Sequence, residues 1–108
     1  MCTENKLVDR ENIIKNAETV LKLIKLSPSA FHTTAALSRL FESNGFVYLP
    51  ENASWELKAG GKYYTKRNNS SLIAFTAGQE ASDDLHFQIC ASHGDSPAYK
   101  LKAIPELE

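Results

Sequence analysis

The chain is 108 residues long, enough for one domain around one core but short for a site assembled from many distant segments. Hydrophobic residues make up 43% and charged residues 23%, with a formal net charge of −1, which excludes a disordered or fibrous class and leaves no electrostatic footprint for nucleic acid or an anionic membrane. The opening stretch "MCTENKLVDRENIIK" lacks a signal-peptide apolar core and no run approaches the length of a membrane span, so a cytoplasmic location is expected, with Cys2 and Cys90 as reduced thiols.

Over 9–26 the apolar residues Ile13, Ile14, Ala17, Val20, Leu21 and Ile24 recur every three or four positions, which predicts an amphipathic helix with Asp9 as its cap. "SPS" at 27–29 interrupts it: Pro28 disfavours helical geometry at Ser27, and Ser29 can cap a second helix running to about Ser43. Phe31, Ala36, Leu37, Leu40 and Phe41 supply that helix's expected apolar face, and Asn44-Gly45 reads as its stop. Residues 46–49 then form a short extended segment.

The stretch "GGKYYTKRNNSSLIAFTAG" (60–78) predicts a β-hairpin, because two β-prone runs flank Asn68-Asn69, a pair that tolerates positive φ. Trp55, Tyr63, Tyr64 and Phe75 are expected to pack across the strands; a stacking platform for nucleic acid would need a positive groove that is lacking. A third strand is expected at 85–91, the most buried of all since both its faces carry apolar residues, with a possible fourth at 99–104.

Chemistry-bearing residues gather at "ICASHGDSPAYKLK" (89–102). If the strand continues, Cys90 and Ser92 leave the face that carries His93, so neither makes a local nucleophile–base pair with it. Nor is there a pair of cysteines at zinc-site spacing. His93 and Asp95, two residues apart, point the same way and lie roughly 6–7 Å apart at the backbone, so the carboxylate can reach the imidazole. From spacing alone this is either a metal ligand with its orienting carboxylate or a histidine bonded to its neighbour for structural reasons. His32, in the first turn of the second helix, and His86, on the face opposite His93, read as surface residues.

Three ordered blocks decide between the two. "SPSAFHTTAALSRLFESNGFVYLPE" (27–51), "GGKYYTKRNNSSLIAF" (60–75) and "ASHGDSPAYKLKAIPE" (91–106) resemble the N-terminal part of the aspartyl aminopeptidase family of dinuclear zinc metalloaminopeptidases. In that family the last block usually reads His-Thr-Asp-Ser-Pro, its His a zinc ligand and its Asp the residue that orients it. The resemblance therefore implies a metal role for His93 and an orienting, catalytic role for Asp95, with Gly94 standing where threonine is usual.

The implied fold is α/β: two helices, a hairpin and further strands, forming part of a mixed-sheet zinc exopeptidase catalytic domain. The implied activity is removal of N-terminal residues from a peptide substrate, with two zinc ions polarising the scissile carbonyl and activating a bridging water. Family members are several times longer, and their remaining zinc ligands and general-base glutamate belong to segments after those matched here. The chain is accordingly expected to be a single partial domain, 1–108, inactive alone and self-associating as a homo-oligomer through open strand edges. The alternative is a non-catalytic domain that keeps the scaffold for assembly or peptide binding.

Overall fold

The computed structural model describes residues 2–79, 87–99, 101–104 and 106, with the backbone alone for 2–8. Two helices, α1 (Cys2–Lys25) and α2 (Ala30–Ser43), precede three strands, β1 (Val47–Tyr48), β2 (Lys62–Arg67) and β3 (Ser71–Thr76). The sheet order is β1-β2-β3, with β1 parallel to β2 and β2 antiparallel to β3. Among the described residues no helix is long and apolar enough to cross a membrane.

The first helix begins well before Asp9, which lies inside it and is not its cap. Apolar periodicity starts near Asp9, but no breaker precedes it in "CTENKLV", so the backbone hydrogen-bond ladder extends upstream of the apolar stripe. Lys22 and Lys25 in its last turn face the negative end of the helix dipole. The second helix starts where expected: Ser29 is extended, at φ −144 and ψ 165, and its side chain accepts from the His32 N–H. Asn44 caps the C-terminus and Gly45 follows at φ +82, a left-handed turn that glycine adopts without steric cost.

The core is small and sits between α2 and β2. Tyr64 is 1% exposed, in contact with Phe41 (ring centroids 6.3 Å) and Tyr48 (5.3 Å), and its hydroxyl donates to Glu42 Oε1 at 2.5 Å. Along α2 the small residues Thr34, Ala36 and Ser38 are buried, while Phe31 and Leu40 of the expected apolar face stay exposed. The buried Ser38 hydroxyl is satisfied within the helix, donating to Thr34 O at 2.7 Å.

The hairpin forms as read. Asn68 and Asn69 take φ of 51° and 53°, and the Ser70 N–H closes the turn on Arg67 O at 3.1 Å. Strand alternation sends Tyr64 to the α2 side and Tyr63 to the other, where Phe75 meets Tyr63 at 5.7 Å and Trp55 at 6.3 Å. The expected cross-strand aromatic packing is thus present on both faces of the sheet.

The third strand is where expectation and structure part. Residues 87–91 have no regular structure, and Phe87 (78% exposed) and Ile89 (84%) lie in solvent instead of forming the most buried strand. Residues 85 and 86 lie outside the described ones. The fourth is likewise absent at Tyr99 and 101–104, with Tyr99 and Leu101 exposed and residue 100 outside the description. An alternating apolar pattern states which face a strand would bury, but a strand also needs a neighbour to take up its backbone groups, and among the described residues none flanks these segments.

Candidate metal-ligand site at His93 and Asp95

The block 92–96 runs as irregular chain beside the first turn of α2, where a β carbon added at Gly94 would meet only Thr33 Cγ2, at 3.7 Å. That is ordinary van der Waals contact, so position 94 has room for a larger residue's first atom. Thr33 is itself held by its hydroxyl, which donates to Ser29 O at 3.1 Å. Nothing in the sequence pairs Thr33 with Gly94, because the two belong to separate elements and neither carries a motif linking them.

His93 and Asp95 do come together. His93 Nδ1 lies 3.0 Å from Asp95 Oδ1 and 2.8 Å from the backbone O of Asp95. Both neighbours are acceptors, so Nδ1 carries the proton and donates to them, and in a neutral ring the lone pair is then on Nε2. The two side chains are 81% and 78% exposed, so Nε2 opens to solvent. The contact survives without the strand because it depends only on two side chains with a single residue between them, not on a sheet partner.

His32 is tied to a hydroxyl instead of a carboxylate. Ser29 Oγ accepts the His32 backbone N–H at 3.5 Å and lies 2.7 Å from His32 Nδ1, so one hydroxyl caps the helix and holds the ring. This is the satisfied, exposed histidine that its place in the first turn predicts. His86 lies outside the described residues. Cys90 is a free, exposed thiol. Among the described residues no three His, Cys, Asp or Glu side chains converge on one point.

The profile of the family described as Aminopeptidase I zinc metalloprotease (M18) matches residues 23–108, which include the helix-capping "SPS", the hairpin and the His93–Asp95 block. The chain belongs to this family. Among M18 relatives, a Probable M18 family aminopeptidase 2 from Pseudomonas paraeruginosa is 40% identical over 88 residues, covering 82% of this chain and 20% of its own length. One of the same name from Clostridium acetobutylicum is 38% identical over 97 residues, 90% of this chain and 22% of the relative. The solved S. cerevisiae mApe1 dodecamer superposes with a TM-score of 0.55 at 31% identity, over 63% of this chain and 16% of that one. The chain thus spans about a fifth of the length of the M18 relatives it matches, and its helices and mixed sheet are an α/β portion of the M18 architecture.

Proposed function

We propose that the chain supplies part of the catalytic domain of a zinc-dependent aminopeptidase, which removes N-terminal residues from peptides, and that within it His93 is a zinc ligand whose ring Asp95 orients. One observation carries this reading: Nδ1 of His93 is taken by two oxygens of Asp95, so the ring presents its lone pair at an open Nε2, inside the block matched by the M18 profile. The donor chemistry of that imidazole suits zinc. Zinc, when bound, polarises a carbonyl and lowers the pKa of its water. Asp95 keeps the proton on Nδ1, stops the imidazole from turning, and strengthens Nε2 as a donor.

One imidazole is a third of what a catalytic zinc takes from protein, about three ligands with a water in the remaining position. The 108-residue chain by itself, a single partial domain in this reading, therefore binds zinc weakly and does not cleave peptides. The reading also takes the protein as a cytoplasmic homo-oligomer, supported by the dodecameric relative and by the unpaired thiol of Cys90.

Zinc added to the chain tests both statements by NMR. Weak binding with the ring resonances of His93 responding before those of His32 is expected, and His93→Ala should remove the response. An equal response of the two histidines would overturn the ligand assignment. Sub-micromolar affinity that disappears in His93→Ala would mean that a complete site exists in this chain or between copies of it.

A further inference from the structure

We propose that Thr33 is a positioning residue for the His93–Asp95 pair, its methyl being the stop on which α2 seats the chain at Gly94. The inference rests on the reading of His93 as a zinc ligand oriented by Asp95, and what it adds is how that pair is placed on the fold. Thr33 is aimed from within its own helix. Its backbone N–H and its hydroxyl both donate to Ser29 O, at 3.0 and 3.1 Å. A helical threonine divides between two rotamers because its hydroxyl can reach a carbonyl of the preceding turn. Here that bond is made, which sets the direction of Cγ2.

The helix that carries this methyl is anchored, with Thr34, Ala36 and Ser38 buried along it. The chain at 92–96 is irregular, and His93 and Asp95 stand out from the fold with side chains 81% and 78% exposed. Between them Gly94 faces α2. Thr33 Cγ2 lies 3.7 Å from where a β carbon of residue 94 would be, and among the described residues no other atom beyond its chain neighbours comes within 4 Å. The residue between the ligand and its orienting carboxylate is thus the place where the block rests on the helix.

Two tasks are divided here between two contacts. The bonds from His93 Nδ1 to Asp95 decide which ring nitrogen keeps the proton, but both partners belong to one short block, so these bonds leave open where the ring stands relative to the sheet. That placement needs a contact to another element, and at position 94 Thr33 supplies it. One methyl contact is individually weak, so its effect falls on the order of the block and not on folding. Gly94 is not among the glycines at positive φ, which are Gly45 and Gly60, so an alanine can take its backbone conformation and add the missing β carbon at ordinary contact distance.

Backbone 15N relaxation on the full chain tests this. The expected result is order parameters at 93–95 clearly above those at 87–91, with a nuclear Overhauser contact between the Thr33 methyl and the Gly94 α protons. Thr33→Ser keeps the hydroxyl and loses the methyl; it should abolish that contact and lower the order parameters of 93–95 from about 0.8 to about 0.6 or below, while the amides of β2 stay protected. Thr33→Val keeps a branched, stiff side chain without the hydroxyl and should retain most of the order. Gly94→Ala should raise the order in the presence of Thr33 and have no such effect in the Thr33→Ser background. Three results would overturn the proposal: order at 93–95 no higher than at 87–91, unaltered order in Thr33→Ser, and a loss in Thr33→Val as large as in Thr33→Ser. None of these measurements involves zinc, so the ligand assignment stands or falls separately, on the response of the His93 ring to the metal.

Discussion

Burial takes the Tyr64 phenol out of water and sets it against the Glu42 carboxylate, and these two effects push its pKa up to about 12 from 10. Because the folded value lies above the unfolded one, the neutral phenol's contribution to stability is fully present below pH 10 and is lost as pH rises from about 10 to about 12. Two pK units correspond to roughly 2–3 kcal/mol. Urea unfolding at pH 8 and pH 11.5 should therefore show a large alkaline loss. Tyr64→Phe should cost about 1 kcal/mol at pH 8 through the lost hydrogen bond, yet flatten the alkaline decline; an unchanged decline in that variant would place its cause in another group. At His93 the governing effect is different in kind: exposure leaves the ring free, and two oxygens of a single neighbour decide which nitrogen keeps the proton.

Local signals built the elements, and each can be removed singly. Ser29→Ala deletes the acceptor of the His32 N–H at the start of α2 and should cost about 1 kcal/mol in thermal or urea unfolding. Gly61, just before β2, is a matter of space: a β carbon there would fall on the ring and hydroxyl of Tyr63, which is itself 7% exposed and receives the Lys58 N–H at 2.8 Å. Gly61→Ala should thus displace Tyr63 and cost about 1–3 kcal/mol as an overpacking change. A thermal midpoint within a degree of wild type would mean that the loop at 58–61 yields without strain.

Across the molecule, stability is concentrated where α2 meets β2 and falls away from that contact. Tyr63, Tyr64 and Ala36 are the buried hydrophobic residues among those described, whereas Ile13, Ile14, Val20, Leu21 and Ile24 of α1 each remain more than half exposed. A helix whose apolar stripe is uncovered is held mainly by its own ladder and frays readily. Amide exchange should therefore be slowest in β2, faster over Asp9–Lys22, and fastest at 87–91 in the monomer. Protection of α1 equal to that of β2 would show that its stripe is covered by contacts beyond those described.

Most of what depends on neighbours along the chain was legible in the residues themselves, the start of α1 upstream of Asp9 being the exception. Pro28 and Ser29 separate and cap the helices, Asn68-Asn69 turns the hairpin, and the spacing of His93 and Asp95 brings carboxylate to imidazole, because each involves groups a few bonds apart whose geometry needs no distant partner. The blocks at 27–51, 60–75 and 91–106 likewise carried the family, which the M18 match over 23–108 bears out. Tertiary structure decided what the pattern leaves open: that α2 buries Thr34, Ala36 and Ser38 while Phe31 stays outside, that Thr33 lies beside Gly94, and that 87–91 is not a strand. The physical reason is common to all three. Amphipathic periodicity specifies which side of an element would be buried, but burial and strand pairing are properties of two surfaces, and the second surface is chosen only when the chain folds.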